Sequence, residues 1–76
     1  MPATEHLAIV SDRDILGGKA VFAGTRVPFQ ALLDYLEGGH TLAEFLSDFP
    51  SVSRELAVRA LEQAKERLVA DARPPR

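Results

Sequence analysis

Two arginines five positions apart, Arg54 and Arg59, follow the serine pair Ser51 and Ser53 and flank Val58. A guanidinium fork can take a guanine edge or a phosphate in two parallel hydrogen bonds, and a serine hydroxyl can reach a phosphate oxygen. These five residues form a candidate DNA-contacting set. Their ordinary reading is a solvated helix face on which Glu55, four positions before Arg59, neutralises it. A second set lies downstream. Lys65, Arg67, Leu68, Val69, Arg73 and Arg76 mix cations with apolar side chains and end in Arg73-Pro74-Pro75-Arg76. That composition suits an arm that orders on a partner, or a frayed terminus.

Other chemistry finds little support. His6 and His40 are the only histidines, without the spacing of metal ligands. Asp12 and Asp14 read as turn residues before they read as cation ligands. Gly17-Gly18-Lys19 lacks the spacing of a phosphate-binding loop. No serine sits in a nucleophile elbow and no triad is visible, so neither an enzyme nor a cofactor or metal is expected.

Seventy-six residues make one domain, and a chain this short buries only about 60% of its unfolded surface. There are no cysteines, so neither disulfides nor a thiolate metal site can staple it. Homodimerisation is the remaining common support. The apolar fraction of 46% favours a folded chain. No apolar run approaches membrane length and no signal peptide is read at the start, so cytoplasm is the expected location. Net charge is −2, which argues against a strongly basic nucleic-acid binder. The charge is uneven. Residues 1–53 carry 3 basic and 7 acidic groups, a balance of −4, while residues 54–76 carry 6 basic and 4 acidic groups, a balance of +2.

The elements follow from periodicity and breakers. Residues 1–6 read as a loose end and Leu7–Val10 as a strand, with turn chemistry at Ser11–Asp14. Gly17-Gly18 and Gly24 mark turns around Val21-Phe22, a β-branched and aromatic pair suited to a second strand. The two strands are expected to pair antiparallel. Arg26, beside Thr25, is expected to tie Asp12 or Asp14 to the start of helix one, its other reading being a backbone phosphate or a partner carboxylate. That helix runs from Pro28 to Glu37 with Phe29, Leu32, Leu33 and Leu36 as its apolar stripe, and ends at Gly38-Gly39. Helix two starts at Thr41 with a capping box to Glu44, carries Leu42, Phe45, Leu46 and Phe49, and stops at Pro50. Helix three starts at Ser53 and runs to about Ala70, with Ala57, Ala60, Leu61, Ala64 and Leu68 inward. Glu55–Arg59 and Arg67–Asp71 are spaced as pairs on its outer side. The division is a β/turn segment over 7–27, three helices over 28–70 and an extended tail over 71–76. Three helices with short joints fit a helix-turn-helix core or a plain three-helix bundle.

The string Gly17-Gly18-Lys19-Ala20-Val21-Phe22-Ala23-Gly24-Thr25-Arg26-Val27-Pro28 resembles the signature of the bacterial family catalogued as domain of unknown function 433. The similarity continues through Leu32-Leu33, Gly38-Gly39, Leu42–Pro50 and the next helix, over roughly residues 9 to 66. Ala20 and Arg13 stand where proline is common in that family. The resemblance implies a mainly α fold, a small N-terminal two-stranded sheet followed by a three-helix helix-turn-helix core. It further implies a VapB-like antitoxin of a type II toxin–antitoxin system, a transcription regulator that binds its operator DNA and neutralises a PIN-like ribonuclease. In such a motif the start of helix three would enter the major groove. The Lys65–Arg76 segment would wrap the toxin, with an arginine against its metal-binding carboxylates. The low net charge supports an alternative, a protein-binding adaptor of the same shape that does not touch DNA.

Overall fold

The computed structural model describes residues 7–75, so the expectation for residues 1–6 lies outside them. Strand β1 (Ile9–Ser11), a 3-10 turn (Leu16–Gly18) and strand β2 (Ala20–Phe22) precede helices α1 (Phe29–Glu37), α2 (Leu42–Asp48) and α3 (Arg54–Asp71). The two strands pair antiparallel, with Ile9 opposite Phe22 and Ser11 opposite Ala20. The expected architecture of a small sheet followed by three helices is therefore present.

β1 begins two residues later than its apolar run suggests, because β2 sets the register. Ala8 turns into the core instead, and its N–H is taken by Gln63 Oε1 at 2.8 Å, 55 positions away. Asp12 accepts from the Asp14 N–H at 2.8 Å, closing the turn that its side-chain type favours. Leu16, Gly17 and Gly18 then take φ of 51°, 67° and 94° in succession. Two of these three suit glycine; Leu16 does not, and the left-handed region costs such a residue about 1–2 kcal/mol. The Ser11 hydroxyl donates to the Gly18 carbonyl and closes the hairpin.

Between β2 and α1, Gly24 sits at φ 77°. The Thr25 hydroxyl donates to the Phe22 carbonyl at 2.8 Å and accepts from the Val27 N–H at 3.0 Å. Thr25 thus holds this turn. Arg26 does not: its side chain is exposed and makes no bond to Asp12 or Asp14. Arg26 reaches neither turn carboxylate, which corrects the expected arginine bridge.

α1 starts one residue later than expected, with Pro28 as its N-cap. Its inward face also differs from the leucine stripe. Leu32 is buried, with Phe29, Ala31 and Tyr35 packed around the core, whereas Leu33 and Leu36 remain 37% and 39% exposed. Tyr35 takes the inward place because its ring meets Phe45 at 5.4 Å and Phe49 at 5.7 Å, while its hydroxyl donates to Asp48 Oδ2 at 2.6 Å. The helix ends as the glycine pair dictates. His40 N–H reaches the Tyr35 carbonyl at 2.9 Å and Gly39 N–H the Leu36 carbonyl at 3.1 Å, with Gly39 at φ 88°. These are the two bonds of a Schellman cap.

α2 carries the expected capping box. Glu44 N–H donates to Thr41 Oγ1 at 3.1 Å and Thr41 N–H to Glu44 Oε1 at 2.7 Å. Phe45 is fully buried, and Leu42, Leu46 and Phe49 pack beside it. α3 is capped by Ser53, whose Oγ accepts from the Leu56 N–H at 3.0 Å. Only its first half enters the core: Ala57 and Ala60 are buried and Leu61 packs against them, but Ala64 is exposed and Leu68 is 76% exposed. The inward stripe outruns the elements that would cover it. The helix continues to Asp71, and residues 72–75 carry no regular structure. The radius of gyration is 13.5 Å, against about 11 Å for a compact domain of this length.

Candidate nucleic acid and partner surfaces

The start of α3 is placed by the joint before it. Val52 is buried with the core and its N–H donates to the Phe49 carbonyl at 3.0 Å, so the Pro50–Ser53 turn is plugged from within. Periodicity could not reveal Val52, because it lies between two helices. Ser51, Ser53, Arg54, Val58 and Arg59 are all exposed. Ser53 is already engaged as the cap. Arg54 and Arg59 enter no ion pair among the described residues, and the expected Glu55–Arg59 pair is not formed.

At 100° per residue, Arg54 and Val58 lie about 40° apart around α3, whereas Arg59 lies about 140° from Arg54. Arg59 shares its side of the helix with Glu55, Glu62 and Glu66. The two arginines therefore flank the helix on either side. That arrangement can reach both walls of a groove in which the helix lies, but it cannot present two guanidinium groups to one base step.

The candidate partner arm is helical over most of its length. Lys65 pairs with Glu62 at 3.0 Å and Arg67 with Asp71 at 3.3 Å. All four side chains are largely solvated, so each pair contributes little to stability. Val69 is 69% exposed, and Arg73 lies in the extended segment. Arg76 falls outside the described residues. Leu68 and Val69 point about 100° apart, so they do not form one apolar face.

A feature absent from the sequence reading lies beside this arm. A groove of about 620 Å³ opens between β1, the start of α1 and the second half of α3. Leu7, Ile9 and Phe29 line one part, and Ala60, Ala64 and Ala70 line the α3 part, together with Gln63, Glu66 and Arg67. The signal for it was the alanine spacing on α3, which the sequence assigns to packing within the chain. His40 stacks at 5.2 Å from the Tyr35 ring and lies 3.5 Å from Glu44. No group of side chains suited to a metal ion occurs among the described residues, and none of their helices is long and apolar enough to cross a membrane.

Two acid–base groups are displaced from their ordinary values. The hydrogen bond to Asp48 raises the Tyr35 phenol, with desolvation and the negative charges of Asp48 and Glu44 adding to it. The backbone hydrogen bond from Thr41 lowers the Glu44 carboxyl, and His40 adds to the lowering. Both groups belong to the α1–α2 joint and lie away from the arginines of α3 in sequence. The profile of a protein family described as Protein of unknown function (DUF433) matches residues 9–64, from β1 to the middle of α3. No curated protein and no solved structure matches the chain.

Proposed function

The chain belongs to the DUF433 family, and on that premise we propose that it is the antitoxin of a bacterial type II toxin–antitoxin module. In this reading a homodimer in the cytoplasm binds its own operator DNA and neutralises a PIN-like ribonuclease. The observation that carries the DNA part is the start of α3. Arg54, Val58 and Arg59 are exposed there, behind a short joint pinned by Val52, and both arginines lack ion-pair partners among the described residues. A recognition helix uses its first turns in this way. The second half of α3 and the segment after it support the toxin part, since they leave the core with Leu68 and Val69 exposed and cations at Lys65, Arg67 and Arg73.

The test is a fluorescence titration of operator DNA with wild type and with the Arg54→Ala/Arg59→Ala variant at two salt concentrations. A base-contacting arginine is worth about 1–3 kcal/mol and a phosphate-contacting one shifts the salt slope by about one unit. The variant should bind at least about tenfold more weakly and still copurify with the product of the adjacent gene. Equal operator affinities would sink the recognition-helix assignment. The acidic neighbours of Arg59 favour a second reading, an adaptor that binds protein alone. Under it wild type, with or without its toxin, binds no DNA at all.

A further inference from the structure

We infer that a second copy of this chain docks on the outer edge of β1 and the groove beside it, bringing β1 against β1 and α3 against α3 about a twofold axis. The inference deepens the antitoxin reading by naming its dimer interface, and it rests on that reading only for the purpose the dimer serves.

The backbone carries the first argument. In the register that pairs Ile9 with Phe22, Ala8 lies opposite Ala23, and the Ala8 carbonyl accepts from the Ala23 N–H at 2.8 Å. Bonded and non-bonded pairs alternate along an antiparallel ladder. Ile9–Phe22 and Ser11–Ala20 are then the non-bonded pairs, and their N–H and C=O groups point away from the partner strand. Phe22 obeys this, donating outward to the Val27 carbonyl at 2.9 Å. Val27 and Pro28 cover the outer edge of β2 in this way. The matching outward groups of Ile9 and Ser11 on β1 meet no partner among the described residues. Such an edge is a template for another strand.

The side chains select the occupant. Ile9 also lines the groove, so the open edge and the groove adjoin at one residue. Glu66 and Arg67 line the same groove with one charge of each sign. A twofold axis passing beside this patch sets Glu66 of one copy against Arg67 of the other. A balanced patch of this kind is self-complementary, whereas a site for a strongly acidic or basic peptide would carry a single sign. Arg67 reaches Asp71 within its own chain at 3.3 Å, in a solvated contact that a second carboxylate can replace. The open Leu68 continues α3's inward stripe past the core and adds apolar surface. The competing surface, Leu33 and Leu36 on α1, lies on a helix that bears Asp34 and Glu37 and no cation, so two copies meeting there would repel.

Sedimentation of the full chain alone should give twice the chain mass at micromolar concentration; a monomer at every concentration overturns the inference. Ala64→Glu, at an exposed position, should weaken the dimer at least about tenfold with helix content unchanged, while Leu33→Glu should not. The reverse pattern would place the interface on α1. Glu66→Arg should weaken the dimer and Glu66→Arg/Arg67→Glu restore it; no restoration rejects the charge pairing. Amide exchange at Ile9 and Ser11 should slow as dimer forms, and unprotected amides in a dimer reject the strand pairing. None of these measurements contains toxin or DNA, so a monomer here leaves the antitoxin reading to copurification, and absence of toxin binding leaves this interface to sedimentation.

Discussion

Phe45 is the side chain on which the core converges. Its ring lies 4.8 Å from Phe49, 5.4 Å from Tyr35 and 5.9 Å from Phe22, so it joins α2 to both α1 and β2. Phe45→Ala should cost about 3–5 kcal/mol, a large share of the stability of so short a chain. A urea midpoint equal to that of wild type would remove Phe45 from this role. Tyr35 makes a different prediction. Its folded value is raised above the ordinary 10.0 by Asp48, so its stabilising contribution is complete below that value and fades as pH rises through the folded one. Melting temperatures of wild type and Tyr35→Phe should therefore differ at neutral pH and converge in strong alkali. Glu44 behaves oppositely. Its value is lowered from 4.5, so its contribution is complete above 4.5 and is lost as pH falls through the folded value. Phe45 was legible because it recurs at helical spacing with Leu42 and Phe49. Tyr35 was not: a stripe count prefers Leu33 and Leu36, and no local pattern announces that Asp48 waits to accept from a phenol.

At the scale of elements, α2 shows how much a short helix owes to its ends. Seven residues do not sustain a helix in water. The capping box at Thr41 and Glu44 satisfies two of its free backbone groups, and Phe45 anchors it. Thr41→Ala should cost about 1 kcal/mol, seen as a lower urea midpoint with unchanged slope; no shift would mean that the box does not hold in solution. Start and stop signals were the most legible features, since caps are local chemistry: Thr41, Ser53, the glycine pair after Glu37 and Pro50 all mark observed ends. α3 shows the limit of that legibility. Its alanine and leucine stripe continues through Ala64 and Leu68 with the right spacing, yet periodicity says which face is apolar and not how far a neighbour extends. The Arg26 bridge failed for a similar reason. Spacing put an arginine near two turn aspartates in sequence, but it says nothing of whether their side chains reach each other across the hairpin.

The whole molecule is more extended than its length requires, because half of its longest helix has nothing to lie against. Charge divides along the same line, with the acidic excess before α3 and the basic excess from Arg54 onward. The sequence showed that division and the family signature over roughly residues 9 to 66, of which the family model matches 9–64, but a groove between β1 and α3 is a property of the assembled chain. The tail belongs to this scale. Residues 72–75 take no part in the core, so a chain ending at Asp71 should melt within about 0.5 kcal/mol of the full one, as surface changes do. If Arg73 and its neighbours hold the toxin, the same truncation should release it in a pull-down. A large loss of stability would show that the tail packs on the domain instead.

The bond from Gln63 to Ala8 spans 55 positions, so the two ends of the fold meet only after α3 has been made. The strands, α1 and α2 leave the ribosome first, but the Ala8 N–H just before β1 finds its partner only on α3, and Phe22 waits for Ala57 and Ala60 to complete its cluster. Such distant contacts form late, since the loop between them must first be closed. Synthesis therefore proceeds in one direction while closure needs the last helix to return to the first strand. A chain cut before Gln63 would keep the hairpin and the first two helices but lose this seal, and protease digestion should find it more open than the full chain.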